Sequence, residues 1–428
     1  MLREIWKNQV GLLFIFDGLD EFKDRIDFGD SQRDIDSQRT CTDPQFRCKV
    51  SDIVYSLIQH KLLVTTRPAA LHLLEKAEIS DWTEILGFVG EERKEYFNMF
   101  FEDQTVATAV FKHVEENEIL YTMTYNPSYC WILGQALGPF FMKTLGHSYR
   151  IPKTITQLYS YYIYNILKNH SREIESPCET LVRVGQMAFT GVAEKSIVFT
   201  DEDLSMYKLQ PSQFLSGFLM ELLEKEDCAR SMVYTFTHLT IQEFVAALVR
   251  FLTPNARGIQ KLLTEAHCST DGRFEVFLHF VAGLSSPLSA RHWRSFWVHL
   301  EEVKRQTGNA GSEAGKRSLL NTMHYLFESQ NHALARQTLG LVETISFGGL
   351  RLTPIDCAVL SHVIRFCGTI KFLNLEHCLI QCEGLQRLAP VLHKCQELGL
   401  GANDLGDSGV KRVSAALKMP DCKVEKLR

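Results

Sequence analysis

A run of five apolar residues, Leu12-Leu13-Phe14-Ile15-Phe16, stops abruptly at Asp17-Gly18-Leu19-Asp20-Glu21. An uninterrupted apolar run of this length suits a strand buried on both faces, as in a parallel sheet packed between helices. In such sheets ligands bind beyond the carboxyl ends of the strands. Asp17, Asp20 and Glu21 are therefore expected at that edge, as carboxylates for a Mg²⁺ ion and for orienting an attacking water. Strands commonly end in polar residues, but three acids in five positions directly after Phe16 favour the functional reading. This is the form of an NTPase's acidic motif. The phosphate loop that normally precedes it, G-x-x-x-x-G-K-[ST], has no match, and only residues 1–10 lie before Gly11. The chain is expected to open partway through a nucleotide-binding domain.

A second apolar strand is expected at Leu62-Leu63-Val64-Thr65-Thr66, after a short amphipathic helix over Val50–His60. Arg67-Pro68 ends it, because proline removes a ladder donor and restricts its neighbour. Arg67 alone reads as a solvated strand end. Beside the acid-tipped strand it becomes a sensor of a terminal phosphate, whose charge a guanidinium fork matches.

At 428 residues the chain is too long for one core, and two to four domains are expected. Hydrophobic residues at 45% and charged residues at 23% describe an ordinary folded protein, and a net charge of −5 provides no field for nucleic acid or anionic membranes. The apolar stretch Trp131–Met142 is too short to span a bilayer, and Met1–Gln9 lacks the apolar segment of a signal peptide. The twelve cysteines include no C-x-x-C pair, and Cys41 and Cys48 have no matching ligand pair. Reduced thiols in a cytoplasmic protein are the expectation.

From about Gly87 the pattern turns helical, with apolar residues at three-and-four spacing over Glu91–Phe101 and Thr105–Glu118 and a more uniformly apolar segment over Pro127–Leu137. Helices are expected at Ile155–Lys168 and Leu181–Thr190, and a strand at Met232–Phe236. Thr240-Ile-Gln-Glu243 has the form of a capping box, opening a helix whose face carries Ile241, Phe244, Val245, Leu248, Phe251 and Leu252. Phe274, Phe277, Phe280 and Val281 form another stripe. Gly308–Ser318 faintly resembles a phosphate loop, but Ala310 stands where glycine is required and Arg317 replaces the Mg²⁺-binding hydroxyl, so a plain loop is expected.

The last eighty residues repeat. Ile370, Leu373, Leu375, Cys378 and Ile380 match Cys395, Leu398, Leu400, Asn403 and Leu405 position for position, and Val424-x-x-Leu427 begins a third copy. This is the L-x-x-L-x-L-x-x-N/C-x-L signature of leucine-rich repeats, with helices expected at Gly384–His393 and Gly409–Leu417.

Taken in order, these parts resemble a NOD-like receptor. LLFIFDGLDE resembles that family's extended acidic motif and LLVTTRPAA its sensor strand. ILGFVGEERKEYF and NPSYCWI resemble its first helical domain, PKTITQLY and YTFTHLTIQEFVAAL its winged helix, and LTPIDCAVLSHVI the lead-in to its repeats. The resemblance implies a multidomain α/β plus α architecture. It would comprise the C-terminal part of a P-loop NTPase (NACHT) parallel sheet (1–86), a helical domain (87–150), a winged helix (151–252), a second helical domain (253–350) and partial leucine-rich repeats (351–428). It also implies ATP or ADP with Mg²⁺ as cofactor. Asp17 would organise the metal, Asp20 or Glu21 would be the hydrolytic acid, and Arg67 would read the γ-phosphate. Pro127 would flank the adenine and His238 would contact the β-phosphate of ADP. A lone histidine before a helix reads as structural by itself; the resemblance makes His238 a ligand contact instead.

The function implied is a cytosolic innate-immune receptor or regulator, switched by nucleotide and controlling the assembly of like chains. Protein partners would meet it through the helical domains and repeats. At most it is a weak regulatory ATPase in the full-length parent. In the chain as given the missing phosphate loop is expected to impair nucleotide binding and leave it inactive, and both ends look truncated. The alternative is a nucleotide-independent scaffold or decoy. A processive NTP-driven motor fits poorly.

Overall fold

The computed structural model describes residues 13–19, 62–66, 79–142, 152–170, 176–210, 217–226, 229–253, 266, 274–285, 312–340 and 342–428. Asp20, Glu21, Arg67, Cys41, Cys48 and the helix expected over residues 50–60 lie outside them.

Strands β1 (Phe14–Phe16) and β2 (Leu62–Val64) pair in parallel, with Phe14 opposite Leu62 and Phe16 opposite Val64. The parallel pairing follows the expectation, but burial on both faces does not. Side chains alternate across a strand, and here Phe14 and Phe16 are half-buried while Ile15 and Leu63 are 61% and 50% exposed. Only one face is packed.

Helices α1 (Glu91–Phe100), α2 (Gln104–Glu115), α3 (Glu118–Met123) and α4 (Pro127–Met142) follow. The expected single helix over Thr105–Glu118 is two, because Asn117 starts a new one. Its side chain accepts from the N–H groups of Ile119 and Leu120, at 3.1 Å each. Asp103 caps α2 in the same way through Thr105.

Helices α5 (Ile155–His170), α6 (Pro177–Glu194) and α7 (Asp201–Met206) accompany the antiparallel sheet β3 (Val198–Thr200), β5 (Ala229–Phe236), β4 (Leu219–Glu226), in that spatial order. Thr200 and Asp203 form a capping box at the start of α7. Helix α8 (Leu239–Leu252) packs along α6, with Gly185 of α6 set close against Val245 and Val249. Helix α9 (Glu275–Leu284) completes this first core, and the Phe274, Phe277, Phe280 and Val281 stripe is buried in it as expected.

A second core begins with α10 (Glu313–Ser329) and α11 (His332–Leu339) and continues into a four-stranded parallel sheet. The sheet order is β6 (Thr344–Ser346), β7 (Ile370–Asn374), β8 (Cys395–Gly399), β9 (Lys426–Leu427), with α12 (Pro354–Ile364), α13 (Cys382–Leu392) and α14 (Gly406–Leu417) between the strands. The register sets Ile370 opposite Cys395 and Leu373 opposite Leu398, the pairs that the sequence repeat aligns. One unit escaped sequence reading: Ile345 lies opposite Leu373, and Ile345, Phe347, Leu350 and Leu352 are buried like their counterparts. Leu350 stands where the other units have Cys378 and Asn403, which hides the pattern.

Within the segment expected as a loop, residues 312–318 depart from that expectation, and residues 308–311 lie outside the described residues. Ser312 caps α10 by accepting from the Gly315 N–H, so Glu313 onward is helical. Lys316 donates from Nζ to the Gly348 carbonyl, a structural tie to the sheet and unrelated to phosphate.

Candidate functional site

Asp17 follows β1 at the carboxyl end of the parallel pair, as expected. It is exposed, and its Oδ1 accepts from the Thr65 hydroxyl at 2.5 Å. Thr65 Oγ1 in turn accepts from the Gly18 N–H at 2.8 Å, so the turn after β1 is clamped to the end of β2. That arrangement holds an exposed carboxylate at the strand edge, a ligand type suited to a hydrated divalent cation.

Pro127 is the first residue of α4, exposed, at a position where its missing N–H costs nothing. Asn126 before it accepts from the Ser128 N–H at 2.9 Å and acts as the cap. Two residues on, Tyr129 comes near the Tyr159 hydroxyl of α5. Burial first, and then that neighbour, hold the Tyr159 phenol well above its ordinary value.

His238 is the N-cap of α8. Its Nδ1 accepts from the Thr240 N–H at 3.4 Å and lies 2.9 Å from the Thr240 hydroxyl. The expected Thr240/Glu243 capping box is therefore corrected. The helix starts one residue before Thr240, which occupies the second helical position, and Glu243 is buried in the first turns. Side chains are packed all round those turns, and Gln242 donates to the Ser196 carbonyl at 3.0 Å. The His238 ring is half-buried, and desolvation pulls its basicity below the ordinary histidine value. It is thus both the structural cap that its position suggests and an imidazole with Nε2 still available among the described residues.

The structure sets α4 against α5, and Tyr159 of α5 reaches Thr240 of α8. Asp17 is held by Thr65 and not by Pro127 or His238. Asp20, Glu21 and Arg67 lie outside the described residues.

Sequence reading missed a charged network because its members lie hundreds of residues apart. Arg93 of α1, fully buried, donates to both carboxylate oxygens of Glu383 on α13 at 2.8 Å, donates to the Phe88 carbonyl at 3.0 Å and lies 4.4 Å from the Tyr121 ring centroid. Arg387 on α13 bonds Glu118 of α3 at 2.9 Å, and Arg351 bonds Glu84 at 2.8 Å. Nearby, Glu328 of α10 accepts from the Ile155 and Thr156 N–H groups and from the Thr156 hydroxyl, capping α5 from 172 positions away. The one signal for these pairs in the sequence was an arginine inside an apolar helical pattern at position 93.

Comparison with known proteins gives three family matches in register with this order. A NACHT domain model matches residues 1–104, a NOD2 winged helix domain model residues 179–236 and an NLRC4 helical domain HD2 model residues 238–337. The human NLR family CARD domain-containing protein 3 is 28% identical over 470 aligned positions, covering 97% of this chain and 43% of that protein. The chain belongs to the NOD-like receptors.

Among other NOD-like receptors, the NACHT, LRR and PYD domains-containing protein 3 of rat is 27% identical, over 97% of this chain and 46% of its own length. The human protein of that name is 25% identical, over 100% and 47%. The chain thus spans less than half the length of these curated relatives. The NACHT domain is a family of nucleotide-binding NTPases, and the donors described above fit such a ligand: an exposed carboxylate at a strand edge and a half-buried, weakly basic imidazole at a helix N-terminus. Among the described residues no helix is long and apolar enough to cross a membrane, and no cluster of His, Cys, Asp and Glu is arranged to hold a metal by itself.

Proposed function

We propose that this NOD-like receptor chain carries the closing half of a nucleotide switch in a cytoplasmic innate-immune signalling receptor. ADP or ATP would lie between the strand edge at Asp17 and the cap of α8, with His238 donating to a phosphate and Pro127 flanking the base. Mg²⁺, when bound, would neutralise phosphate charge. Asp17 would hold it, Arg67 would read the terminal phosphate, and Asp20 or Glu21 would orient water in a slow, regulatory hydrolysis. The chain's own contribution is to join domains: His238 and Asp17 belong to different parts, so a ligand touching both would favour the closed arrangement. We read the C-terminal strand–helix units as leucine-rich repeats, with domain limits at 1–86, 87–150, 151–252, 253–350 and 351–428. The repeats and helical domains would meet protein partners and other copies of the chain.

The observation that carries this reading is the His238 ring: it caps α8 with one nitrogen and keeps the other available. The test is titration of the 428-residue chain with a fluorescent ADP. Weak binding is expected, since the phosphate loop has no match in the sequence, with affinity about tenfold lower again in His238→Ala, the size of one hydrogen bond to a charged group. Equal affinity in the variant would remove His238 from the site.

A nucleotide-independent scaffold is the second reading. The ion pairs Arg93–Glu383, Arg387–Glu118 and Arg351–Glu84 favour it, since they join the first helical segment to the C-terminal units with protein groups alone. Failure of the chain to bind any adenine nucleotide at millimolar concentration would select it.

A further inference from the structure

The tautomer of His238 is set by its neighbours, and one of them is on another helix. A backbone N–H can only donate, so the Thr240 N–H, a long contact at 3.4 Å from Nδ1, biases that nitrogen toward an acceptor without a proton, and the shorter hydroxyl contact supplies the main hold. The ring proton is then on Nε2. The Thr240 hydroxyl, 2.9 Å from the same nitrogen, must also donate to it. Its lone pairs are then left for the Tyr159 hydroxyl, which lies in close hydrogen-bond contact with Thr240 Oγ1. The order of donation is Tyr159 to Thr240 to His238 Nδ1, ending on an Nε2–H.

The far end of this relay is rigid. Tyr159 is fully buried on α5, its ring 5.5 Å from that of Phe244 and 4.9 Å from that of Phe280, centroid to centroid. Among the described residues, the titratable groups whose charge acts on Tyr159 are Tyr129 on α4, Glu243 on α8 and Tyr162 on α5.

We infer that Tyr159 and Thr240 are positioning residues that hold His238 as a neutral Nε2–H donor toward an anionic ligand, the phosphate of a bound nucleoside diphosphate. The inference rests on the reading of His238 as a phosphate contact. A second proton on the ring would set Nδ1–H against the Thr240 N–H, so the same relay opposes an imidazolium. Burial of the ring acts in the same direction. The phosphate then meets a directional donor of fixed orientation without a full positive charge, which makes the grip nearly independent of pH on the alkaline side of the ordinary histidine value. It also makes the grip dependent on a side chain of α5, so a shift of α5 against α8 would loosen the ligand.

The experiment is a long-range proton–nitrogen correlation spectrum of the 428-residue chain labelled at histidine, with the His238 signal assigned by its loss in His238→Gln. Wild type is expected to show the Nε2–H tautomer at pH 7.5. Thr240→Val, which keeps the side-chain shape, and Tyr159→Phe, which keeps the ring, are expected to shift His238 toward a tautomer mixture. Thr240→Ser should restore the wild-type signal. An Nδ1–H or doubly protonated ring in wild type, or an unchanged tautomer in both variants, overturns the relay. ADP titration of the same proteins separates the two layers. A shifted tautomer with about tenfold weaker ADP binding supports the whole inference. A shifted tautomer with unchanged ADP binding overturns the phosphate contact, and weakened ADP binding with an unshifted tautomer overturns the relay alone. A melting temperature near that of wild type in Tyr159→Phe keeps these outcomes apart from simple misfolding.

Discussion

The histidines between α9 and α12 respond to burial in opposite ways, and the difference is chemical. Burial alone would depress His324, but its Nε2 lies 2.7 Å from Asp356 Oδ1, and that hydrogen bond and charge raise it above the ordinary value. At Asp356 burial acts upward, but the same contact together with the hydrogen bonds from Thr353 outweighs it and lowers the carboxyl. The His324 part of this stabilisation is full below the ordinary histidine value and is lost as pH rises through the raised one. The Asp356 part is full above the ordinary aspartate value and is lost as pH falls through the lowered one. Among the described residues His362 has no such acidic partner. Desolvation, with His332, Arg365 and Lys153 adding to it, brings its value from 6.5 to about 4. In the unfolded chain it takes up its proton first, so folding stability should fall as pH drops from about 6.5 towards 4. His362→Phe preserves the ring contacts with Phe327 and Phe366, at 5.2 and 5.5 Å. Its melting temperature should lose less than that of wild type between pH 7.5 and pH 5. Identical pH dependence in the two proteins would rule out His362 as the cause. None of this was legible in the sequence, where these histidines are isolated letters. Even at His238 the legible T-x-x-E pattern misdirected, because it put the cap at Thr240 and the histidine outside the helix.

Between elements, α6 and α8 approach closely in the first core at Gly185. A Cβ added to Gly185 would lie 2.6 Å from Val249 Cβ and 2.8 Å from the Val245 carbonyl oxygen. Neither is the loose end of a flexible side chain, so the helices themselves would have to separate. Alanine gains about 1 kcal/mol of helix propensity over glycine, whereas overpacking a core contact typically costs about 1–3 kcal/mol. Gly185→Ala is therefore expected to be destabilising, seen as a lower midpoint in urea and weaker amide protection in α8. A rise in midpoint would mean that the helices part at little cost. The C-terminal units show a tie of another kind. Buried Asn403 accepts from the N–H groups of Cys378 and Ile380 and donates to the carbonyls of Leu375 and Leu400, joining one unit's turn to the next. The repeated Leu, Leu and Cys/Asn positions made two of these units readable. The β6 unit was not, because Leu350 fills the corresponding position with a hydrocarbon that packs but leaves no polar signature.

Over the whole molecule, the first helical segment and the C-terminal sheet are joined by charge taken out of water. Arg93 is 0% exposed and its carboxylate partner Glu383 21%. Breaking one side of a buried pair leaves an uncompensated charge and typically costs about 3–5 kcal/mol, whereas replacing both by apolar groups is often neutral. Glu383→Ala should therefore release residues 79–142 from α13, increasing the radius of gyration in solution scattering and exposing the segment to protease. The double variant Arg93→Met/Glu383→Leu should remain compact. Equal scattering profiles for wild type and Glu383→Ala would show that the contact of α3 with α12 holds this junction without the ion pair.

What the sequence by itself determined is whatever is written in short, repeated or ordered patterns. These include the parallel pairing of the acid-tipped strand with Leu62–Val64, the helix stripes from Glu91 onward, the register of β7 on β8, and the order of parts that belongs to a NOD-like receptor. Local spacing suffices there because hydrophobic period and turn chemistry act over a few residues. The tertiary structure alone decided that one face of the first strand pair is exposed and that His238 is itself the cap of α8. It also decided that Tyr159 reaches Thr240 across 81 positions and that Arg93 finds Glu383 across 290. Each of these depends on which distant surfaces exclude water together, and a buried charge or ring declares its partner only once the chain has folded around it.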